Sequence, residues 1–285
     1  MTDPFASYIR RGLIEPEELN ELLQGPNAKQ VKILDATYPA RADAMRISNA
    51  QVFDIEKICD RESPLPAMLP TDREFANAVS ELGITNTDFV VVYDQQNIAM
   101  AAARAWWMFR VFDHEKVVVL NGGLNAWMNA GLPVVNGTDV PKARRMMFVA
   151  LYHPELVHTF DEMLDTVDQQ NAFILDARPV ERFSGEIPDP RPDMRMGHMP
   201  GAVNVPAMSL VDLMTGKLKP KEELEENFRE LGLYRGGRIV STCGSGITAC
   251  VIALALHHAG ITNVAVYDGS WAEWGLTSCN APVAA

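Results

Sequence analysis

Cys243 opens an eight-residue stretch, Cys243-Gly244-Ser245-Gly246-Ile247-Thr248-Ala249-Cys250, whose residue types could hold and use a sulfur anion. A β-rich run, Arg238-Ile239-Val240-Ser241-Thr242, leads into it, and an apolar run from Ala249 to Leu256 follows, closed by His257, His258 and Gly260. The order is strand, tight loop, buried helix. Two glycines let the backbone turn sharply and aim its N–H groups inward, which makes a nest for an anion at a helix N-terminus. Such a setting favours a thiolate over a thiol, and the thiolate is the nucleophile. Cys243 is therefore the candidate nucleophile, with Gly244, Gly246, Ile247 and Thr248 as the cradle around it. Cys250, inside the helix, reads as a small buried hydrophobe. Cys243 and Cys250 have no second ligand pair at metal spacing, so no metal site is expected. A phosphate-clamping cysteine loop needs an arginine at its end, where this chain has Ala249.

The elements that must position this loop are legible in the rest of the chain. Its 285 residues suggest two domains. The net charge of -12 argues against non-specific nucleic-acid binding and for a monomer or weak dimer, while local arginines can still receive an anionic substrate. Four cysteines (Cys59, Cys243, Cys250, Cys279) are too few for a disulfide framework and point to a reducing compartment. No apolar run is long enough to span a bilayer, and Met1 to Gly12 lacks a signal-peptide core. A cytoplasmic setting is expected, with a mitochondrial one as the alternative suggested by Arg10 and Arg11.

Read in order, Pro16 to Leu23 is an amphipathic helix, Val31 to Ala36 a strand, Val52 to Ile55 a short strand, and Thr71-Asp72-Arg73-Glu74 a helix start that runs to Leu82. Phe89 to Tyr93 is a near-continuous β-branched run and reads as a strand buried on both faces. Helix from Ala99 to Phe109, strand from Val117 to Leu120 and a helix around Trp127 complete the unit. The pattern then repeats. Ile33-Leu34-Asp35-Ala36 returns as Ile174-Leu175-Asp176-Ala177, and Asn121-Gly122-Gly123-Leu124 returns as Asp268-Gly269-Ser270-Trp271. The expected architecture is α/β, with two tandem domains over 1–136 and 154–285, a linker over 137–153, and in each domain a mostly parallel sheet with helices on both faces. Where the second half has Cys243 at a strand end, the first has Asp94, so the chemistry is expected once, at the carboxyl end of the second sheet.

These stretches resemble a tandem-domain sulfurtransferase of the rhodanese family over nearly the whole chain. The resemblance is carried by Gly197-His198-Met199-Pro200-Gly201-Ala202, the loop Cys243 to Thr248, Tyr267 to Trp274, Ser63 to Pro70 and Arg104-Ala105-Trp106-Trp107-Met108. Within the family, thiosulfate-preferring members carry basic residues just after the cysteine. The branch that uses 3-mercaptopyruvate carries Cys-Gly-Ser-Gly-Val-Thr, which differs from this loop by one methylene at Ile247. The resemblance implies that Arg182 and Arg191 receive the carboxylate and ketone of that substrate, a task suited to guanidinium forks. It implies a Cys243 persulfide, pyruvate as product, and a thiol acceptor such as thioredoxin or glutathione, or cyanide, with no cofactor. Ser245 would donate a hydrogen bond to the substrate or relay a proton.

Two positions depart from the family. Relatives of this branch support the loop serine with a histidine and an acid from the first domain, and here those positions hold Ala67 and Glu56. The family's His-Ile-Pro-Gly-Ala stretch reads Arg46-Ile47-Ser48-Asn49-Ala50 in the first half. A Ser–His–acid relay is thus incomplete, which supports a weakly active sulfur-carrier or binding module as a competing reading, while a thiosulfate:cyanide transferase, the nearest alternative, is disfavoured by the neutral Gly244-Ser245 pair. His198 reads as structural, Trp106, Trp107 and Phe109 as core, and Glu222 to Glu226 as a solvated helix face.

Overall fold

A computed structural model describes residues 3–41, 43–96 and 98–285. The chain divides into two compact units. Unit 1 comprises Met1–Arg61, Leu69–His153 and Val211–Leu218, and unit 2 comprises Glu62–Met68, Pro154–Leu210 and Lys219–Ala285.

Unit 1 runs α1 (Ala6–Arg11), β1 (Leu13–Ile14), α2 (Pro16–Gln24), β2 (Val31–Asp35), β3 (Met45–Ile47), β4 (Gln51–Val52), α3 (Asp72–Glu81), β5 (Phe89–Tyr93), α4 (Met100–Val111), β6 (Val117–Leu120), α5 (Gly123–Asn129) and β7 (Val134–Asn136). Unit 2 runs β8 (Val157–His158), α6 (Phe160–Gln169), β9 (Ala172–Asp176), α7 (Val180–Phe183), β10 (Ala202–Asn204), α8 (Lys221–Glu230), β11 (Arg238–Thr242), α9 (Ala249–His258), β12 (Val264–Tyr267) and α10 (Ser270–Trp274).

Among the described residues each unit holds a five-stranded sheet whose pairings are all parallel. The strand orders are β4-β2-β5-β6-β1 and β10-β9-β11-β12-β8. The two orders superpose element for element, so the repeat seen in the sequence is a repeat of topology. All five residues of β5 are buried, as expected of a strand covered on both faces. Phe89, Val91 and Tyr93 face one core with Phe5, Leu19 and Trp127, and Phe53, Phe75 and Phe109 form an aromatic cluster in the same unit. In unit 2, Ile174, Val240 and Tyr267 pack with Met163, Trp271 and Trp274. Helix α9 is buried from Ala249 to Leu256, a fully apolar cylinder set against the sheet.

Helix starts follow the residue chemistry. Thr71 Oγ1 accepts the Glu74 amide at 3.3 Å while the Glu74 carboxylate accepts the Thr71 amide at 2.9 Å, the reciprocal box read from their spacing. The short strand expected over Val52 to Ile55 lies instead at Gln51–Val52, with the Phe53 amide still bonded to the Asp35 carbonyl. The stretch 137–153 packs with unit 1: Met146 and Phe148 donate their amides to Ser80, and Val149 donates to Asn86. Just before it, β7 pairs antiparallel with β3. Among the described residues no helix is long and apolar enough to cross a membrane.

The end of β5 holds Asp94, 1% exposed. Its carboxyl oxygens accept the amides of Gln96 (3.2 Å) and Ala102 (3.0 Å), so a side chain of the loop takes up the loop's own donors. Burial pushes this carboxyl up to about 7, against the amides of Ala102, Gln96 and Ala101, which hold it down. The native state therefore binds the proton more tightly than the unfolded chain does. The stability Asp94 contributes is present below about pH 4 and is lost as pH rises through about 7. Burial drives His114 in the same unit down to about 4, and its contribution runs the other way, lost as pH falls below its ordinary range. Comparing Asp94→Asn with the parent cancels the His114 effect. The variant's thermal midpoint is expected to gain on the parent's by something on the order of 5 °C between about pH 5 and about pH 8. Parallel midpoints across that range would show that Asp94 is ionised throughout.

Candidate functional site

β11 is the central strand of its sheet, hydrogen-bonded to β9 on one side and β12 on the other, with Thr242 in register with Asp176. Cys243 is the first residue beyond it, at the carboxyl end where an open parallel sheet presents its loops, and is 1% exposed. The start of α10 holds its backbone from behind. The Trp271 amide donates to the Cys243 carbonyl at 2.9 Å, and the Ala272 amide donates to the Gly244 carbonyl at 2.9 Å. The Cys243 amide donates to Ser270 Oγ at 3.2 Å. Both carbonyls and the Cys243 amide are thus turned away from the loop's interior.

The loop's own amides are left over. Among the described residues, the N–H groups of Gly244, Ser245, Ile247 and Thr248 have no hydrogen-bonded acceptor. Gly246, at φ +74°, makes the left-handed turn that a side chain would oppose. Its carbonyl accepts the Cys250 thiol at 3.2 Å, which gives that buried cysteine a place in bracing the loop. Thr248 stands at the N-cap position of α9 without a side-chain cap bond, and the Ser245 hydroxyl is half-buried and uncommitted. Free amides at a helix start can stabilise a negative charge on sulfur.

The two candidate arginines differ in what they are free to do. Arg191 is held by Asp189 through Nε (2.8 Å) and Nη2 (2.9 Å), and its Nη1 donates to the Gly244 carbonyl at 2.7 Å. Of five guanidinium N–H groups this leaves two, one on each terminal nitrogen. Arg191 therefore ties the loop to the segment before β10 while keeping donors in hand. Burial alone would raise the Asp189 carboxyl, but the Arg191 side chain and amide, with the charges of Arg191 and Arg182, hold it below the usual carboxylate range. Arg182, on α7, is half-buried, and its guanidinium has no hydrogen-bonded partner among the described residues. His198 stacks on Phe183 with ring centroids 3.9 Å apart and donates from Nδ1 to the Phe183 carbonyl at 2.9 Å. It anchors the helix that carries Arg182.

Sequence reasoning missed Asp189 and Ser270. An aspartate two residues before an arginine across a proline favours the turn observed here, in which the Arg191 amide also bonds Asp189 Oδ1 at 3.0 Å. Ser270 could have been found from the repeat, which sets it opposite Gly123. Ala67 lies in unit 2 in a left-handed conformation, φ +58°, and Glu56 lies in unit 1, beside Tyr38.

The rhodanese-like domain family matches residues 15–130 and 157–277, once in each unit. The chain belongs to the rhodanese family. The 3-mercaptopyruvate sulfurtransferase of Escherichia coli K12 is 43% identical over 230 residues, 80% of either chain. The thiosulfate sulfurtransferase of Gallus gallus is 37% identical over 94% of this chain and 95% of its own. The crystal structure of the Escherichia coli 3-mercaptopyruvate enzyme, SseA, superposes with a TM-score of 0.78 at 37% identity, covering 91% of this chain and 98% of that one. Rhodanese relatives named for two different donors thus lie at similar distance, and overall identity does not select between them.

Asp189→Ala removes the carboxylate that orients Arg191 and so loosens the side-chain donor on the Gly244 carbonyl. Amide exchange at Ala272, whose N–H is bonded to the Gly244 carbonyl, is expected to accelerate by roughly an order of magnitude while the interior of α9 exchanges as before. Unchanged exchange at Ala272 would show that Arg191 does not brace the loop.

Proposed function

We propose that this rhodanese-family chain moves sulfur from 3-mercaptopyruvate to a thiol acceptor by way of a persulfide on Cys243. The observation that carries this reading is an uncharged loop, Gly244 to Thr248, with four amides free to receive an anion next to the only cysteine at a strand end among the described residues. A dianionic donor such as thiosulfate would want cationic neighbours within that loop, and it has none.

The chemistry follows from these groups. The Cys243 thiolate attacks the sulfur of 3-mercaptopyruvate. A sulfur–sulfur bond forms, the carbon–sulfur bond breaks, and its electron pair leaves as the enolate of pyruvate, which then takes a proton. The amides of Gly244, Ser245, Ile247 and Thr248, with Gly246 providing the turn, hold the thiolate and then the outer sulfur of the persulfide. Arg182, with its whole fork available, takes the substrate carboxylate, and the two remaining donors of Arg191 meet the ketone oxygen as it gains charge. Ser245 supplies a hydroxyl for a hydrogen bond to the substrate or for the proton that the enolate needs. With Ala67 and Glu56 at the supporting positions, no Ser–His–acid relay operates. The amides of Gly244, Ser245, Ile247 and Thr248 offer the charge on the reacting sulfur its partners without one.

A second thiolate, from a dithiol protein such as thioredoxin or from glutathione, attacks the outer sulfur and regenerates Cys243, which makes the kinetics ping-pong. All four cysteines are free, which suits a reducing, cytoplasmic setting, and the chain is proposed to act as a monomer or weak dimer.

Intact-protein mass spectrometry after brief exposure to 3-mercaptopyruvate, beside thiosulfate, tests the reading. One added sulfur on Cys243, with an equivalent of pyruvate, is expected from the former, and Cys243→Ser should take up none. Sulfur from thiosulfate alone would move the protein to the other branch, and turnover by Cys243→Ser would remove the nucleophile. Arg182→Ala is expected to raise KM for 3-mercaptopyruvate by roughly 10- to 100-fold, the worth of a charge-assisted pair. The KM for thiosulfate should move far less, and equal shifts would count against carboxylate recognition.

A further inference from the structure

Ser270 combines three features that ordinary packing does not require together. It is fully buried, it is a non-glycine residue in the left-handed region at φ +50°, and its hydroxyl is fully committed. Its Oγ donates to the Tyr267 carbonyl at 2.7 Å and accepts the Cys243 amide at 3.2 Å and the Thr242 hydroxyl at 3.3 Å. One hydrogen donated and two accepted use the whole capacity of a hydroxyl. The left-handed conformation is unfavourable for a residue with a β-carbon, and strain of this kind persists where the surroundings enforce it.

The chain contains its own control. In unit 1 the same position is Gly123, also left-handed at φ +57°, and a β-carbon there would collide with the Asp94 carbonyl oxygen. The carbonyl grip is the same in both units: Leu124 N–H to Asp94 O at 3.0 Å, and Trp271 N–H to Cys243 O at 2.9 Å. The frame therefore closes perfectly well around glycine. Serine, with its strain, stands only where the strand ends in the cysteine, and what it adds is a bond to the cysteine's own amide.

We propose that Ser270 is a positioning residue for Cys243: its hydroxyl ties the Cys243 amide to the end of β12 and so sets the backbone turn that aims the amides of Gly244 to Thr248 at the reacting sulfur. This rests on Cys243 being the nucleophile. Ser270 touches neither substrate nor sulfur. It acts on the step in which negative charge moves between sulfurs, and leaves the arginines that receive the donor untouched.

Two substitutions separate this role from a structural one. Ser270→Gly and Ser270→Ala both lose the hydroxyl, but only glycine relieves the left-handed strain. Single-turnover pyruvate release from 3-mercaptopyruvate, read by stopped flow, is expected to slow at least ten-fold at saturating donor in both variants. Half-saturation should stay within two-fold of the parent, and the glycine variant should melt at or above the alanine variant. If Ser270→Gly releases pyruvate at the parental rate, or if half-saturation alone changes, the proposal is overturned. Slowing in Ser270→Ala with full activity in Ser270→Gly would assign the effect to strain and overturn it equally. Cys243→Ser, run alongside, distinguishes the two failures, since pyruvate released by that variant would overturn the nucleophile itself and not merely the part given to Ser270.

Discussion

A hydrogen bond from the first turn of a short helix to the carbonyl that ends the central strand holds both halves of this chain in shape. In unit 1 it joins Leu124 to Asp94, and in unit 2 Trp271 to Cys243. A parallel strand in mid-sheet ends with backbone groups that its neighbours no longer satisfy, and leaving such a group buried without a partner costs about 1–3 kcal/mol. The helix amide removes that cost and fixes the direction in which the chain leaves the strand. Whatever stands next in the loop is then presented at one place, between the sheet's carboxyl edge and the start of a buried helix. The backbone course of the Cys243 loop in unit 2 depends on this constraint before it depends on any side chain.

Within that frame the two units resolve the same electrostatic situation in opposite ways. A loop that gathers amides at a helix start attracts negative charge. Unit 1 meets the amides from within: the Asp94 carboxyl takes those of Gln96 and Ala102, and the loop is closed by its own side chain. Unit 2 leaves the amides of Gly244, Ser245, Ile247 and Thr248 without an internal acceptor and places a thiol beside them. One duplicated fold therefore carries one loop whose amides are met by its own side chain and one whose amides are not.

Much of this was legible in the amino-acid order, for reasons that differ by element. β5 and β11 are short β-rich runs in the interior of a sheet, so local composition and burial agree. The Thr71–Glu74 box declares its helix by spacing alone. The cysteine loop is legible because glycine and helix start are written side by side. The β3–β7 pair was not, since each strand has three residues and nothing local marks them as partners. Nor was the place of Val211–Leu218 in unit 1. It depends on Leu218 donating to Asn121 Oδ1 at 2.9 Å and Lys217 meeting Glu15 at 2.6 Å, contacts across 97 and 202 residues. The commitment of Arg191 was half-visible: the residue types were plain, but the geometry that spends two of its five donors on Asp189 and a third on the Gly244 carbonyl was not.

The buried arginine–aspartate pairs show one place where the two halves of the repeat diverged. Asp35 and Asp176 end equivalent strands, and each is neutralised by a buried arginine, Arg46 in unit 1 at 2.9 Å and Arg178 in unit 2 at 2.7 Å. Removing one partner of such a pair strands the other charge and costs roughly 3–5 kcal/mol, so neither unit could simply lose its arginine. The arginine nevertheless comes from different places. Arg46 is the middle residue of β3, whereas Arg178 follows Asp176 by two residues, where it also donates to the Gly197 carbonyl at 2.9 Å and lies over Trp271. Because Asp176 is satisfied by its own turn, the position in unit 2 that matches Arg46 is released from that duty. It holds His198, which stacks on Phe183 and so fixes the short helix bearing Arg182. A change in which residue neutralises a buried carboxylate thus leaves one ring free to hold a second guanidinium in place, uncommitted and available to an anion.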